Sequence, residues 1–248
     1  MIELKNVTKT YGKKHNTFRA LNDVSFTIPT GASVAILGKS GSGKSTLMHA
    51  MSGLDRPEAG EVLVDDVNIL KLKNKALDAF RSKKIGFIFQ SFFVQGNETV
   101  YDNVCLPLEI AGVPKAKRRA LVEQALAQVE LGDKVKSKAK NLSGGQKQRL
   151  AIARAIVNQP EIIFADEPTG NLDSATGETV EDLLFSYNKG SGVTLIIVTH
   201  DEDLAGRCEM VVRVKDGSVA SIDGATDGAP DTTKETPEPT TATEGATK

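Results

Sequence analysis

The sequence has no apolar run approaching the roughly 20 residues that a helix needs to cross a bilayer, so no membrane-spanning segment is expected. The first residues, Met1-Ile2-Glu3-Leu4-Lys5, lack the apolar core of a secretory leader. Net charge is nearly absent as well: 31 Lys and Arg against 32 Asp and Glu leave −1. That balance supplies no basic field, and nucleic acid is not expected as a partner. Cysteine is scarce. Cys105 and Cys208 stand far apart in unrelated contexts, which argues against a disulfide framework or a metal site and for free thiols in a reducing compartment. No internal repeat is visible. These absences together predict a cytoplasmic protein that reaches a membrane only through a partner.

What remains is ordinary globular material. With 248 residues, 40% hydrophobic and 25% charged, the chain suits one sizeable α/β domain or two small ones. Its organising stretch is Gly38-Lys39-Ser40-Gly41-Ser42-Gly43-Lys44-Ser45. A short buried-looking strand, Ser33–Leu37, precedes it, and a helix can continue from Thr46 to Gly53. Strand, glycine loop and helix start in that order make a phosphate cradle. The curled backbone aims N–H groups inward, and the helix N-terminus adds unpaired donors and partial positive charge. Lys44 would reach the outer phosphates, and the Ser45 hydroxyl would ligate Mg²⁺.

Along the rest of the chain, residues 2–30 read as short strands of a small antiparallel sheet, with clean alternation in Val24–Ile28. Residues 61–70 suggest a further strand and turn, and Ile85–Phe89 a buried strand ending at Gln90. From about 91 to 158 the pattern is helical, with an apolar stripe of Leu121, Val122, Ala125, Leu126 and Val129 that Gly132 should stop. Runs at 161–165 and 193–199 flank a helix at about 174–189, which predicts parallel strands with a crossover. Residues 210–214 and 217–220 close the domain. The Thr/Pro/Glu-rich tail, 223–248, carries too little apolar surface to fold and is expected to be disordered. The fold class is α/β: a mostly parallel sheet with flanking helices, a small antiparallel β subdomain and a helical subdomain at 91–158.

Three polar groups follow three buried strands: the glycine loop, Asp166-Glu167 and His200. Ligands of parallel α/β sheets bind outside the carboxyl ends of the strands, so one nucleotide could meet all three. Asp166 suits Mg²⁺ and Glu167 suits a general base. His200 could touch the terminal phosphate or orient the attacking water. Gln90 could offer its amide oxygen to the metal. Each has a plainer reading as a turn former, a helix cap or a structural histidine. A second signal is Leu142-Ser143-Gly144-Gly145-Gln146, where Ser143 and Gln146 have capping-box spacing. Two adjacent glycines weaken a first helical turn, which makes sense if backbone must approach a ligand.

These motifs jointly resemble the nucleotide-binding subunits of ABC (ATP-binding cassette) transporters, over about residues 1–222. The segment from Asp166 to Asp173, and Val104–Leu108, are most similar to the branch of macrolide exporters, antimicrobial-peptide exporters and lipoprotein-releasing ATPases. Lys39 departs from the proline or small residue expected there. The resemblance implies ATP and Mg²⁺ as ligands, a P-loop NTPase core, and Tyr11 stacking on adenine. Gly38–Thr46 would hold the phosphates (Gly38, Lys39, Ser40, Gly41, Ser42, Gly43, Lys44, Ser45, Thr46). It also implies Ser45, Gln90 and Asp166 near the metal, and Glu167, His200 and Gln90 in catalysis. Ser143, Gly145 and Gln146 would close over the nucleotide of a second copy, in a homodimer with Asn171-Leu172-Asp173 at the seam. The partner implied is an integral membrane permease, received near Phe92 and Phe93, with the subunit peripheral on the cytoplasmic face of the membrane. The same resemblance admits an ATP-gated scaffold of the cell-division type that moves no substrate.

Overall fold

The computed structural model describes residues 1–13 and 16–224, so from residue 225 the Thr/Pro/Glu-rich tail lies outside the described residues. Two sheets carry the architecture. Strands β1 (Ile2–Lys13), β2 (Asn16–Ile28), β4 (Ala59–Val64) and β5 (Val67–Asn68) form an antiparallel sheet in the order β2-β1-β4-β5. The second sheet has the order β10-β9-β3-β8-β7-β6. It comprises β3 (Ser33–Leu37), β6 (Ile85–Phe89), β7 (Ile162–Asp166), β8 (Thr194–Thr199), β9 (Met210–Lys215) and β10 (Ser218–Asp223). Its neighbours are parallel except for the β9–β10 hairpin at the edge.

The central strands read as unbroken apolar runs because both of their faces are covered. Val34 and Ile36 of β3, Phe164 of β7, and Ile196 and Val198 of β8 pack toward the antiparallel sheet and helix α1 (Lys44–Ser52), against Leu47, Met48 and Met51. The alternate residues Ile163, Ala165, Leu195 and Ile197 pack toward helices α3 (Val100–Ile110), α4 (Lys115–Gln128), α5 (Gly144–Ile156) and α6 (Ser174–Ser191). Helix α2 (Asn74–Lys84) leads into β6, and α7 (Glu202–Gly206) follows β8. The parallel pairing of β7 with β8 across α6 is as expected from sequence.

Several local expectations need correction. β1 and β2 run to 12 and 13 residues, far beyond the short strands expected. Register shifts between Leu4 and Thr10, with Asn6 and Asp23 at positive φ, break the alternation that would have revealed them. Helix α2 went unread because Leu77 is its one fully buried residue among charges. The segment 91–99 is not helical. Its backbone is held by side chains instead: Gln95 N–H donates to Asn103 Oδ1 (2.7 Å), and Arg154 donates to the carbonyls of Phe92 (2.9 Å) and Phe93 (2.7 Å). The helix then starts at Val100, where Thr99 and Asp102 form a capping box. Helix α4 ends before Gly132; the left-handed residue that turns the chain is Glu130, at φ 56°. Finally, β10 extends through Asp223, one residue into the stretch read as tail.

Candidate functional site

The loop 38–43 leaves β3 at its carboxyl end and becomes α1 at Lys44. Glycine is required at two points for steric reasons. A Cβ on Gly38 would lie 2.4 Å from the Val214 carbonyl oxygen, and Gly43, at φ 107°, would meet the Ala20 carbonyl oxygen at 2.6 Å. The loop is thus squeezed between β9 and β2. The first N–H groups of α1 have no carbonyl within their own helix and open onto the loop. Lys44 is nearly buried, and its Nζ donates to the carbonyls of Gly38 (2.8 Å) and Lys39 (3.1 Å). Among the described residues, the buried Ser42 hydroxyl has no hydrogen-bond partner. An orphaned hydroxyl, a bent-over ammonium and free helix donors fit a chain of phosphates.

Across the cleft, β7 ends in Asp166, which lies opposite Phe89 in the register with β6 and so brings Gln90 alongside. Burial holds the Asp166 carboxyl above the ordinary carboxylate range; the negative charge of Glu167 adds to this, while His49 and Lys44 oppose it. Asp166, Ser45 and Gln90 offer the hard oxygen donors that Mg²⁺ prefers beside phosphate oxygens and waters. The next residue, Glu167, has φ 45°, and its N–H donates to the Val198 carbonyl (2.8 Å). This pins a left-handed residue between two strand ends, a conformation that costs of order 1 kcal/mol or more and recurs at functional sites. Its side chain is anchored twice. His200 Nδ1 lies 2.7 Å from Glu167 Oε1, and the Thr199 hydroxyl donates to Oε2 at 3.3 Å. The Asn171 amide donates to the Gln90 carbonyl (2.8 Å), and a Cβ on Gly170 would lie 2.9 Å from Gln90 Nε2.

These groups line one cleft of about 1400 Å³: the whole loop Gly38–Ser45 with Thr46, then Gln90, Asp166, Glu167, His200 and Tyr11. Tyr11 is fixed from behind. Its hydroxyl donates to Asp55 Oδ2 (2.7 Å), and Lys9 Nζ, bonded to Asp55 Oδ1 (2.8 Å), sits 5.0 Å over the ring.

Ser143, Gly145 and Gln146 lie elsewhere and are not among the residues lining the cleft. They do form the capping box expected. The Gln146 N–H donates to Ser143 Oγ (3.3 Å), and the Ser143 N–H donates to Gln146 Oε1 (3.0 Å). For Gly145 the structure gives a packing reason where ligand approach was expected, since a Cβ there would lie 2.3 Å from Thr176 Cγ2. Gly144 is exposed, and among the described residues only Leu172 comes near its Cβ position.

Sequence reasoning missed the supporting residues Thr199, Asp55, Lys9 and His49. Only Thr199, adjacent to His200, carried a local signal; Asp55 lies 44 residues from the tyrosine it holds.

Comparison with known proteins bears on the same residues. The family model described as "ABC transporter" matches residues 21–170. The lipoprotein-releasing system ATP-binding protein LolD of Syntrophus aciditrophicus is 41% identical over 221 residues, covering 89% of this chain and 99% of that protein. The macrolide export ATP-binding/permease protein MacB of Hyphomonas neptunium is 44% identical over 224 residues, 90% of this chain. That match spans 35% of MacB, so the chain corresponds to about a third of it. Among solved structures, the dimeric bacterial ABC transporter cassette MJ0796 superposes with a TM-score of 0.82 at 42% identity, covering 90% of this chain and 98% of that one. A dimeric post-hydrolysis state of the same cassette, bound to ADP and Pi, gives a TM-score of 0.81 at 41% identity.

Proposed function

The chain belongs to the ABC transporter family, and on that premise we propose that it is an ATP-binding and ATP-hydrolysing subunit that energises a separate membrane permease. The observation that carries this reading is the meeting of four parallel strand ends, β3, β6, β7 and β8, at one cleft beside an orphaned serine hydroxyl and free helix donors. In this reading the N–H groups of Gly38–Thr46 and Lys44 Nζ grip the phosphates, and Tyr11 stacks on the base. Ser45, Asp166 and Gln90 hold Mg²⁺. When bound, the ion offsets charge on the phosphate oxygens. Glu167 takes a proton from the attacking water, and His200 orients Glu167 and the terminal phosphate. The water oxygen bonds to the terminal phosphorus as the bond from that phosphorus to its bridging oxygen breaks, giving ADP and phosphate.

Ser143, Gly145 and Gln146 are remote from this chain's own cleft, and this supports a head-to-tail pair in which they cover the nucleotide of the second copy. The dimeric state of the similar cassette MJ0796 supports the same assignment. The names of the similar proteins, lipoprotein release and macrolide export, support a permease of the extruding kind and a location on the cytoplasmic face of the membrane. As domains we propose 1–222 for the cassette, which β10 carries on through Asp223, with its helical part at about 91–158.

Two substitutions test the proposal. Lys44→Ala should abolish Mg-ATP binding in calorimetry; an unchanged affinity would refute the cradle. Ser143→Arg should leave ATP binding by the isolated chain intact but suppress turnover, and wild-type phosphate release would refute cover by a second copy.

A further inference from the structure

Phe18 has no part in the site described so far, yet it lines the same cleft. Its ring, in β2, is 61% exposed, and among the described residues it makes no ring–ring or cation–ring contact. The register of the hairpin sets Phe18 directly opposite Tyr11, so both side chains rise from one face of the sheet. Ala20, two residues along β2 at the register shift between the Lys9–Leu21 and Thr10–Arg19 pairs, also lines the cleft. Its carbonyl is the atom that a Cβ on Gly43 would strike. The strand bearing Phe18 therefore reaches the phosphate loop within two residues, about 7 Å of strand.

The two rings are held differently. Tyr11 is locked by Asp55 and Lys9, whereas Phe18 stands open with no polar atom to satisfy. An exposed phenyl ring beside a fixed one, a short step from a phosphate cradle, offers an apolar surface to a flat heterocycle. We propose that Phe18 is a base-contacting residue, the second ring of a two-aromatic platform that receives the nucleobase. This rests on the reading of the cleft as an ATP site. The platform recognises the π face of the ring system, which all bases share, and not an edge pattern of donors and acceptors. It therefore grips base-bearing ligands over bare polyphosphates without separating adenine from guanine.

The test uses the full chain and two ligands, Mg-ATP and Mg-tripolyphosphate, the second carrying the phosphates without the base. Phe18→Ala should weaken Mg-ATP binding about five- to tenfold in calorimetry and change tripolyphosphate affinity less than about twofold. Phe18→Tyr should restore the ATP affinity. The chain contains no tryptophan, so Phe18→Trp provides a single tryptophan, excited apart from the three tyrosines at the red edge of their absorption. ATP should quench or shift its emission and tripolyphosphate should not. Equal ATP affinity in Phe18→Ala, or an equal loss for both ligands, would overturn the platform while leaving the ATP site standing. A wild-type chain that binds tripolyphosphate as tightly as ATP would also overturn it. A wild-type chain that binds neither would overturn the ATP reading and this inference together.

Discussion

At Glu167 the backbone and the side chain are constrained together: a left-handed φ, an N–H tied to β8, and two side-chain anchors from Thr199 and His200. Glu167→Gln keeps the shape and removes the proton acceptor. It should retain ATP binding while lowering phosphate release by at least about 10²-fold, checked by equilibrium dialysis beside a phosphate assay. Cys208, half-buried, is a contrasting case of desolvation without a role in the cleft. Desolvation pushes its thiol from an ordinary 9.0 up to about 12. At pH 8 the folded chain should hold roughly a thousandfold less thiolate at this position than the unfolded chain, so iodoacetamide should label Cys208 slowly until urea is added, as read by peptide mass spectrometry. Between about pH 9 and 12 the unfolded chain releases this proton and the folded chain keeps it, so stability falls as pH rises through that window. The groups proposed to react could be picked out in the sequence because each directly follows a short apolar strand, and they do line one cleft. Asp55 and Lys9 were not, since nothing local marks a carboxylate whose partner lies 44 residues away.

At the scale of elements, α5 and α6 meet at their N-termini, and the meeting explains a glycine. Thr176 is held in its rotamer by the bond from its hydroxyl to Asp173 Oδ2 (2.7 Å), so its methyl cannot swing away from a Cβ at position 145. In an open helix Gly→Ala stabilises. Here Gly145→Ala should destabilise by about 1 kcal/mol or more, and adding Thr176→Ser should recover most of the loss by removing the methyl while keeping the hydroxyl bond. Urea unfolding of the single and double variants checks this. Ser143→Ala, which deletes the cap, should cost about 1 kcal/mol in the same assay. Elements buried on both faces, such as β3, β7 and β8, announce themselves as apolar runs. The long β1–β2 hairpin did not, because its bulges shift the pleat three times along one strand. Nor did α2, whose anchoring in the core rests on Leu77 and the partly buried Phe80 among charged neighbours.

At the scale of the whole molecule, the cleft is built from segments spread across almost the entire chain, from Tyr11 to Ala220. The Glu167→Gln variant should accumulate as an ATP-bound dimer in size-exclusion chromatography with light scattering; a monomer under those conditions would contradict the paired arrangement. The Gly217 N–H donates to the Ser42 carbonyl (2.9 Å), its own carbonyl accepts from Asn22 (2.8 Å), and the Val214 carbonyl seals the loop at Gly38. Residues near position 40 thus wait for residues near 215 to brace them. On the ribosome, a nascent polypeptide halted before Met210 already carries every motif of the phosphate loop. It should still gain no protease protection from ATP, because the clasp that shapes the loop has yet to be translated.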